Sequence, residues 1–232
     1  MSTCYVLACG PSIKEQDLTK LGDNPCITIS NFFVHPHFSK MNVEYHLFGE
    51  LHPPITPEMG LAWFQDAEKL LAPDQKLLIH SAEAEFIHTH NIFSKQKVEF
   101  FNTGGSFPST LPTQIDRYLS MSQAALQVGI HVALQQQIEK VVIMGIDHSW
   151  VNHPLESRHF YSEEESALVR AGYDEWHNVS SKESSINMEA SNLSVLSSIY
   201  EFYRDRAAEL GVKVFNGTPN SMITCLPCDY IH

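Results

Sequence analysis

Seven short apolar runs, each closed by polar or glycine residues, recur along the 232 residues: Cys4 to Ala8, Cys26 to Ser30, Glu44 to Gly49, Lys76 to His80, Val98 to Asn102, Lys140 to Ile146 and Val212 to Gly217. Several are β-branched or aromatic and apolar at successive positions, the pattern of strands covered on both faces. Between them, apolar positions recur at helical spacing over Ile13 to Leu21, Pro57 to Leu71, Tyr118 to Gln137 and Asn187 to Leu210. The last helix is well marked: Leu193, Leu196, Ile199, Tyr200 and Tyr203 share a stripe, and Gly211 stands where a C-cap belongs. Alternating strands and helices predict an α/β, Rossmann-like architecture, a mostly parallel sheet sandwiched by helices, as one domain over residues 1–232. The stretch from Trp150 to Ser185 breaks the alternation. Polar and rich in Ser, His and Glu, it reads as a lid or long functional loop over about residues 150–185.

In such a sheet, ligands bind at the carboxyl ends of the strands. The residues there are Cys9, Gly10, Pro11 and Ser12 after the first strand, Asn31 after the second and Glu50 after the third. Asp147 and His148 follow the sixth, and Thr218, Pro219, Asn220 and Ser221 follow the last. Gly10 permits a sharp turn and close approach of a ligand, Pro11 suits a first helical position, and Ser12 sets a hydroxyl beside helix N-terminal amides. That is a small phosphate or nucleotide cradle. The same three residues also make a tight strand-to-helix connection with a capping serine. Neither Gly-x-Gly-x-x-Gly nor a Walker loop is present, which removes support for dinucleotide and P-loop chemistry.

Charge narrows the partners. A formal charge of −12 argues against a surface for nucleic acid or anionic lipid, both of which need clustered Lys and Arg. No apolar run approaches the ~20 residues of a membrane span, and the N-terminus reads as a strand and not as a signal peptide, so the expected location is cytoplasmic. Five cysteines without framework spacing suit a reducing compartment, with no disulfides expected. Cys225, Cys228 and His232 form at most half of a zinc site.

The thirteen histidines divide by context. Those in VHPHF and IHTHN read as solvated or capping residues, whereas His148, His153, His159 and His177 lie in or beside the lid. With an ordinary pKa of about 6.5, a lid histidine is a suitable general base for an acceptor hydroxyl. His159 is the first candidate because aromatic Phe160 and Tyr161 follow it, and His177 is the second. Glu163, Glu164 and Glu165 read as a solvated helix start.

VLACGPSIKEQDLTKL, ISNFF, IEKVVIMGID and VKVFNGTPNS resemble, in order and spacing, segments of the bacterial sialyltransferases that use CMP-sialic acid on lipooligosaccharide. MGIDHSW and RHFY resemble the broader group related to 6-hydroxymethylpterin diphosphokinase (MptE-like), many of whose members look like surface-polysaccharide enzymes. The sialyltransferase resemblance implies a CMP-activated donor with a sialic-acid or other nonulosonate sugar and a glycan or lipid-linked glycan acceptor, as in lipopolysaccharide biosynthesis, with peripheral membrane contact through that acceptor. It places Gly10 and Ser12 at the phosphates or sugar, Asn31 on the nucleotide, Asp147 near its ribose or base, and Thr218, Asn220 and Ser221 at the rim. The chain departs from those enzymes where they carry Arg-x-x-Ser-Gly, having only Ser120 and Ser122 as stand-ins. Ser149 and Trp150 replace two phosphate-binding tyrosines, with Tyr161 a distant substitute, and Glu50 replaces an asparagine.

Three expectations follow. The first is a glycosyltransferase without a resident cofactor, since no Asp-x-Asp is present to hold a metal–nucleotide. The second is an Mg2+-dependent diphosphokinase acting on a hydroxymethyl heterocycle, in which Glu50 and Asp147 face one another over the metal. The third is a nucleotide-binding module without catalysis.

Overall fold

All seven expected strands form in the computed structural model, which describes residues 2–104, 118–119, 124–149, 158–174 and 186–231. They are β1 (Thr3–Leu7), β2 (Cys26–Ile29), β3 (Val43–Phe48), β4 (Lys76–His80), β5 (Lys97–Phe101), β8 (Lys140–Met144) and β9 (Lys213–Asn216). They build one sheet in the order β5-β4-β3-β2-β1-β8-β9, every neighbouring pair parallel. Two further two-residue strands, β6 (Thr103–Gly104) and β7 (Tyr118–Leu119), pair separately.

The continuous apolar runs are explained by cover on both faces. On one face Leu7, Val142 and Met144 belong to a cluster with Ile13, Phe32, Phe48, Trp63 and Phe64. Trp63 and Phe64 come from α1 (Pro57–Leu70), which buries Gly60, Trp63, Phe64 and Ala67 at helical spacing. Thr56 caps it by accepting from the Met59 N–H at 3.4 Å, and Pro57 takes the first position, where no amide partner is lost. Phe48 meets Trp63 edge-on at 5.2 Å, and such pairs add about 0.5–1.5 kcal/mol to the area term. On the other face Val6, Ile27, Val141 and Ile143 pack with α3 (Ala124–Leu134) and α5 (Ile186–Glu209) through Leu126, Ile130, Leu196, Ile199, Tyr200 and Tyr203.

The helix expected over Ile13 to Leu21 is instead two 3-10 turns, Pro11–Glu15 and Leu18–Leu21. Between them the Asp17 carboxylate accepts from the Thr19 N–H at 3.1 Å, a local bond that competes with a helical ladder. The helix expected from Tyr118 is described only over Ala124–Leu134, and Ser120 and Ser122 lie outside the described residues. A short helix, α2 (Ala84–His90), forms where no helix was expected. Of the lid, residues 158–174 are described. They carry a 3-10 turn at Glu163–Glu165 and α4 (Ala167–Arg170). The three glutamates are exposed, and Glu165 accepts from the Ser162 N–H at 2.7 Å.

All five cysteines are free thiols. Among the described residues no group of three His, Cys, Asp or Glu side chains is placed to hold a metal, and no helix is long and apolar enough to cross a membrane. His232 lies outside the described residues.

Candidate active site

The segment leaving β1 packs on the Phe48 face through Ile13, Leu18 and Leu21, whereas the chain enters β9 from α5 on the opposite face. The connections therefore diverge between the adjacent strands β1 and β8, and their carboxyl ends define the topological switch point, where α/β sheets open a crevice. Gly10 and Asp147 stand there together. The Ala8 N–H donates to Met144 O at 2.9 Å and the Gly10 N–H to Gly145 O at 3.0 Å, extending the strand pairing to the crevice floor.

What the Gly-Pro-Ser turn holds is a carboxylate of its own chain. The Ser12 N–H donates to Asp147 Oδ1 at 2.9 Å and the Ser12 hydroxyl to Oδ2 at 2.8 Å. A Cβ on Gly10 would collide with Asp147 Oδ2 and Gly145 O, and one on Gly145, whose φ is +72°, with Ala8 O. Gly10 is thus required for the approach of two loops of the same chain, in addition to any approach by a ligand. Burial raises the Asp147 pKa, the two Ser12 bonds oppose the rise, and Glu15 adds to it. An ionised carboxylate offers about four acceptor positions. Ser12 uses two of them.

The loop after β9 supports Asp147 from below. The Thr218 hydroxyl accepts from the Ile146 N–H at 3.0 Å, the Ser221 hydroxyl donates to Ile146 O at 2.6 Å, and the Met222 N–H donates to Asp147 O at 2.9 Å. Asn220 is exposed at φ 57°. Asn216 was not singled out from sequence. It is buried, accepts from the Thr218 N–H and donates to Ile223 O, both at 2.9 Å, and so shapes the loop. Its signal was an amide closing an apolar strand immediately before Gly217.

His148 adopts φ 51°, a left-handed conformation uncommon for a residue with a side chain. It is buried, its Nε2 lies 3.0 Å from the Tyr200 hydroxyl, and burial pushes its pKa down to about 4. It is a neutral imidazole at pH 7, suited to hydrogen bonding and not to taking up a proton.

At the end of β2, Asn31 is buried, with its Oδ1 accepting from the Trp63 indole N–H and its Nδ2 donating to the Ser166 hydroxyl at 3.5 Å. Ser166 belongs to the segment expected as a lid or functional loop. The Phe160 N–H donates to Cys9 O at 3.0 Å, and the Phe160 ring lies edge-on to Phe32 at 5.3 Å and His35 at 5.2 Å. Residues 158–174 therefore cover the ends of β1 and β2. His159 stacks on Tyr161 at 4.8 Å with the rings 9° from parallel. His153 and His177 lie outside the described residues.

One expectation is corrected and one is narrowed. Glu50 is exposed at the end of β3, and β3 stands three strands from β8, about 14 Å at the usual strand spacing. Glu50 and Asp147 therefore do not face one another over one Mg2+. His35, in VHPHF, is half-buried on Phe32, and burial pushes its pKa to about 4, so of the two expected roles it has the capping one and not the solvated one: its Nδ1 accepts from the His37 N–H at 3.2 Å. His46, also not singled out, is enclosed by Phe33, Phe38 and Phe48, with Nδ1 2.7 Å from the Thr28 hydroxyl and its pKa pushed to about 3 by burial.

No family model and no curated protein matches the chain. Among solved structures, the chain is similar to a single-substitution variant of the sialyltransferase CST-II in complex with CMP, at 11% identity and a TM-score of 0.51, covering 98% of this chain and 86% of that one. The sialyltransferase CST-II in complex with a trisaccharide acceptor and CMP matches at 11% identity and a TM-score of 0.48, covering 97% and 85%. At such identity the likeness is one of fold: the α/β architecture with its seven-stranded parallel sheet.

Proposed function

We propose that the protein is a glycosyltransferase that moves a sialic-acid or other nonulosonate-type sugar from a CMP-activated donor to a surface-glycan acceptor. The observation that carries this reading is the coincidence of the Gly10–Ser12 turn, Asp147 and His148 at one topological switch point, in a fold similar over nearly its whole length to that of a CMP-bound sialyltransferase. CMP lies at that crevice in this reading. Acceptor capacity that Ser12 leaves on Asp147 takes the ribose hydroxyls, Gly10, Pro11 and Ser12 border the phosphate, and Thr218, Asn220 and Ser221 form the rim. Asn31, bonded to Trp63 and Ser166, contributes by holding the lid against the strand ends.

In the transfer step the acceptor hydroxyl oxygen bonds to the anomeric carbon while the bond from that carbon to the CMP phosphate oxygen breaks. CMP leaves with the bonding electron pair, and the acceptor proton passes to a base. His159 is that base, with His177 the second candidate, because Asp147 is engaged by Ser12 and, in this reading, by the ribose, and burial leaves His148, with a pKa of about 4, too weakly basic. No metal is required.

Thermal shift with CMP, CDP, UDP and ATP, each with and without Mg2+, tests the reading. A ligand at one hundred times its Kd stabilises by about 2.7 kcal/mol. Stabilisation by CMP without metal is expected. Stabilisation by ATP only with Mg2+ would favour the diphosphokinase instead, and no response to any of the four would remove the nucleotide site.

A further inference from the structure

Asn216 ends β9 with its backbone held on both sides. It is in register with Ile143 of β8, its N–H donates to Pro227 O at 2.8 Å, and its carbonyl accepts from the Asp229 N–H at 3.0 Å. From this fixed base the amide of a residue only 1% exposed reaches both ends of the loop that follows: Oδ1 accepts from the Thr218 N–H and Nδ2 donates to Ile223 O, both at 2.9 Å. The partners set the orientation of the amide, because an N–H can meet only its oxygen and a carbonyl only its NH2. Between those two points the loop grips the chain leading to Asp147. The Thr218 hydroxyl accepts from the Ile146 N–H at 3.0 Å, and the Met222 N–H donates to Asp147 O at 2.9 Å. The Ser221 hydroxyl donates to Ile146 O at 2.6 Å while accepting from the Ile223 N–H at 3.1 Å. Three successive peptide groups, from Gly145–Ile146 to Asp147–His148, are therefore bonded to one loop, and the Asp147 carboxylate they carry meets the Ser12 N–H and hydroxyl at 2.9 and 2.8 Å. Hydrogen bonds of that length weaken steeply on misalignment.

We propose that Asn216 is a positioning residue for Asp147: by closing the loop over residues 218–223 at both ends, it fixes the backbone that presents the carboxylate to Ser12 and, in the CMP reading above, to the ribose. The effect on CMP rests on that reading. The positioning toward Ser12 does not.

Asn216→Ala removes both amide bonds and adds no charge, and its melting temperature shows whether it is folded. The first readout needs no ligand: the Asp147 carboxyl is titrated by 13C NMR, its signal identified by its loss in Asp147→Asn. Burial raises the Asp147 pKa and the Ser12 bonds lower it, so a carboxyl displaced from Ser12 should titrate about 0.5–1 pH unit higher than in the wild type. The second is CMP affinity by calorimetry in a cycle with Asp147→Asn. Asn216→Ala should weaken binding about fivefold in the wild-type background and less than about twofold in Asp147→Asn, because residues that act through one another are not additive. An unchanged Asp147 titration in folded Asn216→Ala, or the same loss of CMP affinity in both backgrounds, overturns the proposal. Should Asn216→Ala not fold, Asn216→Ser, whose hydroxyl is too short to serve both ends of the loop, is measured in its place by the same criteria. If the wild type binds no CMP while the Asp147 titration still moves upward in the variant, the nucleotide reading fails and the positioning of Asp147 by Asn216 stands.

Discussion

Replacing Ser12 by Ala removes one of the two hydrogen bonds on the buried Asp147 carboxylate and nothing else of size. The Ser12 N–H bond at 2.9 Å survives, and the hydroxyl bond at 2.8 Å is lost. A hydrogen bond to a charged group contributes about 1.5–3 kcal/mol, so Ser12→Ala should destabilise the protein by about 2 kcal/mol at pH 7. The effect should depend on pH with a definite sign. Asp147 already titrates above its ordinary 3.8 in the folded state, chiefly through burial, and loss of the Ser12 bond raises it further. A carboxyl with a raised folded pKa costs stability as pH rises from the unfolded value through the folded one, because the folded state then binds more protons than the unfolded state. The deficit of Ser12→Ala relative to wild type is therefore largest at neutral pH. At pH 3, below the ordinary 3.8 that the folded value exceeds, the folded carboxyl is largely protonated, the lost bond is one between neutral groups, and the deficit should shrink to about 1 kcal/mol. Urea denaturation of both proteins at the two pH values measures it. A deficit below about 0.5 kcal/mol at pH 7, or one that grows on acidification, would refute the latch between the turn and Asp147.

Gly10→Ala should destabilise by about 3 kcal/mol or prevent folding, since the added Cβ meets Asp147 and the Gly145 carbonyl and both are held in place; an unchanged melting temperature with loss of CMP binding would mean that Gly10 serves the ligand alone. His159→Ala should lower turnover by about 10²–10⁴ with CMP affinity nearly unchanged, as expected for a general base, in steady-state assays with a CMP-activated sugar. If His177→Ala is inactive and His159→Ala is not, the two exchange roles.

The seven strands were legible because strands buried on both faces appear as continuous apolar runs, and the longest helices because Trp63, Phe64 and Ala67, or Leu196, Ile199, Tyr200 and Tyr203, recur at helical spacing. Apolar spacing alone did not separate one α-helix from the two 3-10 turns after Gly10, since Ile13, Leu18 and Leu21 are buried in either arrangement. The rule that ligands meet strand ends brought forward Gly10, Ser12, Asn31 and Asp147, all of which occupy such ends. Their partners were not legible. Ser12 and Asp147 are 135 residues apart and meet only because β8 adds beside β1, an order no local pattern encodes. The same ignorance of strand order let Glu50 be paired with Asp147 across three strands. Asn31 was brought forward by its type and place, but its bonds to Trp63 and Ser166 were not legible from sequence. His46 escaped notice because a single histidine in an apolar strand gives no sign of the three phenylalanines that enclose it.

In the proposed function CMP binds at the switch point through Asp147. Isothermal titration of CMP without metal into the wild type and Asp147→Asn tests it most directly, because the amide keeps an oxygen for the Ser12 N–H while losing the charge. The expected result is measurable wild-type binding, weakened in the variant by about 1.5–3 kcal/mol, the scale of a hydrogen bond to a charged group, with the melting temperature of the variant showing it folded. Equal CMP affinity in the two folded proteins, or no CMP binding by the wild type, would contradict the account.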